Sequence, residues 1–425
     1  MRFRTAPFLV ARAFRIVLWT VLAMARVVLV LALPSRRTRA ERVASEVVRL
    51  AEKLQGAFIK VGQLLGTRAD LVGTTMARAL GALQDDVTPM RAVHARRAAE
   101  RALGPLPGEL ARALGGRPVA SGSIACVYRA ELDGLAVAVK VRRPGIERAM
   151  SADIGIVKAL MRVLGRLPPL LRVPLDDIAE QLGECLIRQF DLVSERVHLE
   201  RLRRDLADLP EVVVPATVPE WCGDGVITME FIDGLDRTMT DRLPATVRET
   251  GMAVLVRAVY RMLFLHGFIH VDLHQGNAYI RRDGSVIVLD AGFTYQMTPD
   301  ARLKFTEFFA GMVQGRGDEC AEILLSTVRK VASGADVAGF RRDVSELIAR
   351  SAGLVADRFS LSSFSVELFD LQRRHGHFAD PQFVFPLLCL LAVEGAVKRH
   401  HPLMDFQLEA APYLMHGLLT EPSLD

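Results

Sequence analysis

The stretch HVDLHQGNAYIRRDGSVIVLDAG, residues 270–292, places His270, Asp272, His274 and Asn277 within eight residues. A short apolar segment then leads into a lone acid, Asp290. Isolated acids and amides at strand ends add little to folding, so their chemistry comes first. Asp272 precedes Asn277 by five residues, and Asp290 follows Asn277 by thirteen. One carboxylate at such a site orients an attacking hydroxyl and accepts its proton. An amide oxygen and a second carboxylate supply hard oxygen ligands for magnesium across the phosphates of a nucleotide. A zinc site built from His266, His270, Asp272 and His274 is the competing reading. Its spacing is not that of a zincin, and the oxygen donors suit magnesium better.

A second group of residues lies upstream in PVASGSIACVYRAELDGLAVAVKVRRPG, residues 118–145. Val127–Leu132 and Leu135–Val141 read as two strands joined by Asp133-Gly134, a strong hairpin signal. Ahead of them Ala120, Ser121, Gly122 and Ser123 form a small-residue loop. Such loops bring backbone N–H groups close to phosphate oxygens, although a plain tight turn has the same composition. Lys140 follows AVAV in a strand expected to be buried on both faces, where an ammonium requires an anionic partner. The stretch from about 175 to 209 is expected to be helical and offers Glu195, with Gln189 and Asp191 nearby. VITMEFIDG (226–234) reads as a short strand ending at Met229 and Glu230.

These elements must be held by the rest of a 425-residue chain, long enough for one large core or two. Half of its residues are hydrophobic and its mean hydropathy is +0.23, yet 24% are charged, which excludes a polytopic membrane protein. Eight arginines and no acid lie in residues 1–40, which leaves the rest of the chain at −3 against a total of +5. The basic arm is interleaved with Val, Leu and Ile rather than stacking aromatics, so an anionic lipid surface is expected and nucleic acid is not. Five scattered cysteines with no CxxC pair point to a reducing compartment.

Within the arm, IVLWTVLAMA (16–25) is followed by Arg26 and then VVLVLALP. A cleaved signal, a spanning helix with Arg26 near its middle and an in-plane amphipathic helix all fit the composition. At 100° per residue Arg4, Arg12, Arg15 and Arg26 fall within an arc of about 80°, an arrangement that an in-plane helix uses.

Several of these segments resemble protein-kinase motifs. AVAVK resembles the VAIK strand, HVDLHQGN resembles the catalytic loop H-R-D-L-x-x-x-N, and DAG resembles the DFG element with Ala291 in the Phe position. In that fold VITMEFIDG is where the hinge meets adenine. Small-molecule phosphotransferases of the aminoglycoside type share the catalytic-loop pattern. The discriminating stretches are LQGAFIKVGQLLGTRADLV and LGALQDDVTP (54–89), which resemble the KxGQ element and LQD segment of the UbiB family, the AarF-like atypical kinases. The resemblance covers roughly residues 45–300, while residues 301–425 carry no family motif and read as helices.

The resemblance implies that Lys60, Gly62 and Gln63 are the KxGQ signature, on an extension folding over the active site. Asp191 matches the second acid of the family's ExD motif, with Gln189 where its Glu stands, and Glu195 matches the helix glutamate that pairs with Lys140. Asp272, Asn277 and Lys140 match catalytic positions, and Asn277 and Asp290 match metal ligands. Ala120, Ser121, Gly122, Ser123, Lys140, Glu195, Met229 and Glu230, with Lys60, Gln63 and Asp191, are the implied cofactor-binding set. Gln275 and Cys126 depart from the family's usual Pro and Gln.

The expected fold is α+β, protein-kinase-like and two-lobed. A basic membrane-associating helix (1–40) leads to a helical KxGQ extension (41–115), an N-lobe with inserted helices (116–235) and a helical C-lobe (236–425). The implied function is Mg2+-dependent ATP binding, with hydrolysis or phosphoryl transfer at the cytoplasmic face of a membrane, in support of isoprenoid-quinone (ubiquinone) or lipid biosynthesis. A non-catalytic ATP-binding scaffold of a lipid-biosynthetic complex is the alternative. The expected partners are a lipid surface, isoprenoid- or quinone-pathway lipids or proteins, and a second copy of the chain.

Overall fold

Asp133 and Gly134 both take left-handed backbone, with φ of 52° and 79°. Left-handed backbone at both central residues is the geometry that closes a two-residue hairpin without splaying its strands. The hairpin joins β2 (Ala125–Leu132) to β3 (Leu135–Arg142). Together with β1 (Ala120–Ser121) and β5 (Val226–Glu230) they form an antiparallel sheet in the order β1-β2-β3-β5. The computed structural model describes residues 6–32, 38–54, 57–66, 74–81, 83, 88–164, 183, 187, 189–236, 239–273, 276–332, 334–354, 356, 358–379 and 381–419. The chain divides into two compact units, Met1–Arg196 with Thr217–Phe231, and Val197–Ala216 with Ile232–Asp425.

In the first unit α1 (Ala6–Ala32), α2 (Arg39–Leu54), α3 (Ala57–Gly66) and α4 (Thr74–Gly81) precede α5 (Ala92–Leu103) and α6 (Gly108–Ala113). Ala95 and Ala99 of α5 and Leu110 of α6 pack on Tyr128, Val137, Val139 and Val141, which cover one face of the sheet. The alternation of a strand sends Lys140 and Arg142 to the other face. α7 (Ile146–Leu164) follows the sheet hairpin, and α8 (Leu192–Asp205) begins in this unit and continues into the second. Ala51, Ile59, Leu80 and Leu83 form a separate small core among α2, α3 and α4. α3 and α4 approach closely at a pair of glycines. A Cβ on Gly66 would lie 2.6 Å from the Gly81 nitrogen.

The N-terminal helix is continuous through Arg26, and its arginines divide their roles, contrary to the single polar stripe expected. Arg12 turns inward and donates through Nε and Nη2 to both oxygens of Asp153, each at 2.7 Å, with Asp153 only 1% exposed. Arg15 and Arg26 are exposed, and Trp19 lies beneath the ammonium of Lys53. A buried carboxylate demands a paired cation, which is why Arg12 serves the protein rather than solvent. The outward side carries Phe14, Val17, Val21, Met24, Val28 and Leu29, all exposed. Residues 12–32 are long and apolar enough to cross a membrane.

The second unit is built on α9 (Ala245–Tyr260), which runs on into a π-helical turn, Arg261–His266, and stops at Gly267 with φ 61°. β6 (Phe268–His270) pairs with β9 (Thr294–Gln296), and the hairpin of β7 (Ala278–Ile280) and β8 (Val286–Val288) pairs in parallel with β4 (Val212–Val213). Helices α10 (Pro299–Val313), α11 (Gly317–Ser326), α12 (Val337–Ser351), α13 (Leu361–Arg374), α14 (Pro381–His400) and α15 (Ala411–Leu419) complete it. Thr298 caps α10 by accepting from the Ala301 amide, and Pro299 sits at its first position. Tyr260, Phe264, Phe305 and Phe309 pack ring against ring in the core. Residues 301–425 are not helices alone: Val328–Val331 pairs antiparallel with His377–Ala379.

Candidate active site

In the first unit the Lys140 ammonium meets Glu195 Oε1 at 2.6 Å, with the side chains 13% and 1% exposed. The turn at residues 189–190 and the N-cap at Asp191 position this glutamate. α8 begins at Leu192, capped by Asp191; of the preceding part of the helix expected from about 175, the described residues Gly183 and Ile187 are helical and the turn at 189–190 interrupts it. Asp191 Oδ1 accepts from the amides of Val193 and Ser194, and Oδ2 accepts from the Ser194 hydroxyl at 2.6 Å. Those bonds, the Ser194 hydroxyl foremost, hold the Asp191 carboxyl below its usual range. Its carboxylate thus serves its own helix, which presents Glu195 one turn later. Residues 165–182, 184–186 and 188 lie outside the described residues.

The small-residue loop opens at β1, where Ser121 pairs with Cys126, and the Gly122 amide donates to the Ala125 carbonyl at 2.9 Å. Ser123 is buried. Arg143 fastens this loop from behind: Nε donates to the Gly122 carbonyl at 2.9 Å, and Nη2 to Ser121 Oγ at 2.8 Å and to the Thr88 carbonyl at 2.9 Å. Met229 is buried and Glu230 exposed at the end of β5, opposite Ala138 and Val137 of β3. Lys60 and Gly62 lie on α3, half-buried and buried, and Gln63 follows on the same helix with its side chain outside the described residues. Most of the LQD segment also lies outside them.

The second unit assembles the other residues around one hairpin. Asn277 stands just before β7 and Asp290 two residues after β8. The pairing of Ala278 with Val288, extended by the Leu289 amide donating to the Asn277 carbonyl at 2.7 Å, brings the two ends together. Asn277 Nδ2 donates to the Asp272 carbonyl at 3.0 Å, which ties the catalytic-loop acid to the same point. Asp290 has φ 57°, a region Asp tolerates better than most residues, and its Oδ1 accepts from the Gly292 amide at 2.8 Å.

His270 links these pieces. Nδ1 accepts from the Asp272 amide at 3.2 Å, so the proton sits on Nε2, which bonds the Asp290 carbonyl. Burial lowers its pKa and keeps the ring neutral. Both ring nitrogens are therefore occupied by main chain, which removes His270 from the zinc set. His266 turns instead toward Asp205, 3.9 Å away, and His274 and Gln275 lie outside the described residues.

Two residues passed over in the sequence hold the site's supports. Arg143 is one. His198 is the other: its Nδ1 lies 2.9 Å from Thr294 Oγ1 and 3.4 Å from the Ala291 carbonyl, gripping the segment after Asp290. Nothing local in sequence marks a contact across more than ninety positions.

The model of the ABC1 atypical kinase-like domain matches residues 82–324, more than half of the chain. The chain is 28% identical over 397 residues to the "Probable protein kinase UbiB" of Shewanella pealeana, spanning 89% of this chain and 71% of that protein. It is 29% identical over 380 residues to the protein of the same name from Klebsiella pneumoniae, spanning 86% and 69%. An uncharacterized Synechocystis protein, slr1919, is 28% identical over 392 residues, spanning 91% and 68%. Among solved structures, Mycobacterium tuberculosis Rv3197, determined in complex with erythromycin, aligns with a TM-score of 0.53 at 19% identity, covering 85% of this chain and 96% of that one. That likeness is one of fold, kinase-like and α+β. With the family model spanning the sheet hairpin, the catalytic loop and Asp290, the chain belongs to the ABC1 atypical kinase-like family and is a UbiB/AarF-type member of it.

Proposed function

We propose that the protein binds Mg-ATP and hydrolyses it or transfers its terminal phosphate at a membrane surface, in support of isoprenoid-quinone or other lipid biosynthesis. The observation that carries the reading is the buried Lys140–Glu195 pair. A fold rarely keeps an ammonium and a carboxylate out of water for stability alone, since well-packed apolar residues serve as well there. A lysine so oriented is equipped to hold nucleotide phosphates.

The second unit fits a magnesium ion by its donor chemistry. With Asn277 Nδ2 committed to the Asp272 carbonyl, the amide oxygen is the end left for a cation, and Asp290 adds a carboxylate fixed by the Gly292 amide. Magnesium takes few protein ligands and completes its shell with phosphates and water. When bound, the ion neutralises phosphate charge; Asp272 orients the acceptor hydroxyl or water and takes its proton. Neutral His270 keeps Asp272 and the Asp290 backbone in register. The exposed apolar side of α1 supports membrane attachment, with Arg15 and Arg26 available to anionic headgroups. The quinone pathway is suggested by the names of the UbiB relatives.

The test is ATP turnover by the full chain with magnesium, with and without phosphatidylglycerol vesicles, beside Asp290→Asn. Turnover that rises with vesicles and disappears in the variant supports the enzyme. Nucleotide binding without turnover in either protein overturns it and leaves a scaffold.

A further inference from the structure

On the α5 side of the sheet, away from Lys140, a cleft of about 560 Å³ opens between α5 and the start of α7. Five basic residues line it: Arg91, His94, Arg97 and Arg101 from α5 and its cap, and Arg143 from the end of β3. Among the described residues of its wall none is acidic. At 100° per residue His94, Arg97 and Arg101 share an arc of about 60°. The like charges of Arg97 and Arg101, four residues apart on that face, repel, and an anion between them relieves the repulsion. Composition does not explain it either, because outside residues 1–40 the chain carries more acid than base. Solvated arginines on a convex helix face need no explanation; here they converge on a concave space of the size that holds a small molecule.

The guanidinium of Arg143 stands at the boundary between this cleft and the loop at Ser121 and Gly122. Nε and Nη2 are spent on the Gly122 carbonyl, Ser121 Oγ and the Thr88 carbonyl, which leaves Nη1 for a ligand. We infer that the cleft binds a phosphate-bearing anion, either a soluble phosphorylated molecule or an anionic lipid headgroup, and that Arg143 conveys its occupancy to the small-residue loop. Several guanidinium forks suit a multiply charged tetrahedral anion, whose oxygens accept paired hydrogen bonds. An anion on Nη1 fixes the guanidinium, and the fixed guanidinium holds the loop in one conformation, removing part of the ordering cost of nucleotide binding. This second half rests on the reading of the first unit as a nucleotide binder; the cleft itself does not.

Isothermal titration of the full chain with inorganic pyrophosphate, in the presence of a saturating non-hydrolysable ATP analogue, tests the site. Wild type is compared with Arg97→Gln/Arg101→Gln, two exposed changes whose effect on folding is checked by thermal melting. Loss of two charge-assisted contacts weakens binding by about tenfold or more. Flotation with phosphatidylglycerol against phosphatidylcholine vesicles forms the second arm, with α1 intact in both proteins. Pyrophosphate binding lost in the variant supports a soluble ligand. No pyrophosphate binding, but phosphatidylglycerol flotation reduced in the variant, supports a headgroup. Equal behaviour of the two proteins toward both probes overturns the site. For the coupling, pyrophosphate tightens analogue binding by about fivefold in wild type and not in Arg143→Gln. If the analogue produces no heat at all, the nucleotide reading has failed, while pyrophosphate alone still reports on the cleft.

Discussion

Replacing Lys140 by methionine keeps the bulk of the side chain and removes its charge, which isolates the contribution of the ion pair. Glu195 is 1% exposed, so the variant takes from a buried carboxylate the ammonium it meets at 2.6 Å. Breaking one side of a buried pair costs about 3–5 kcal/mol. For a unit of this size that corresponds to a fall in melting temperature on the order of 10 °C. Both tryptophans, Trp19 and Trp221, belong to the first unit, so intrinsic fluorescence reports its unfolding. The double change Lys140→Met/Glu195→Leu recovers most of the loss, because an apolar pair replaces an ionic one at little cost. Nucleotide binding is lost in both variants, which separates the role in ligand binding from the role in folding. A single variant that melts within about 2 °C of wild type, or a double variant as unstable as the single, would refute the reasoning.

Asp191→Ala removes the cap of α8 and destabilises the first unit by about 1 kcal/mol, measured by urea unfolding, while Asp191→Asn keeps most of that stability. Gly66→Ala forces α3 from the Gly81 backbone and costs about 1–3 kcal/mol, seen as a lowered melting temperature. His270 is held neutral by burial, with its pKa below the ordinary 6.5. The unfolded chain therefore binds more protons in this window, so the contribution of His270 is fully present above pH 6.5 and is lost as the pH falls through its folded-state value. The difference in urea midpoint between wild type and His270→Asn shrinks over that range; an unchanged difference contradicts the assignment.

The candidate site residues stood out in the sequence because the chemistry proposed for them demands fixed types at fixed steps. Asp272, Asn277 and Asp290 bracket one hairpin, and a hairpin is local, so the nineteen residues from Asp272 to Asp290 suffice to describe it. Lys140 announced itself by standing in an apolar strand, and Asp133-Gly134 by its turn chemistry. The cap at Asp191 was present as an Asp ahead of Ser194 and Glu195, yet a helix-period apolar pattern running through it concealed the boundary. The arginine arc of α1 was periodic on paper, but Arg12 answers to a carboxylate 141 residues away. Periodicity measures a helix against itself and says nothing of what it docks on.

The sequence by itself determined the chemistry on offer: which groups are of the type that accepts protons, which are of the type that suits hard cations, and that a lysine in an apolar strand requires an anion. Those follow from local identity and spacing, which the covalent chain already contains. Tertiary structure decided the pairings that close across long loops. Glu195 meets Lys140, Arg143 grips the Ser121–Gly122 loop, His198 holds the segment after Asp290, and five basic residues converge on one cleft. Such contacts exist only once burial has removed the competing solvent, so their partners are chosen by packing and not by sequence distance.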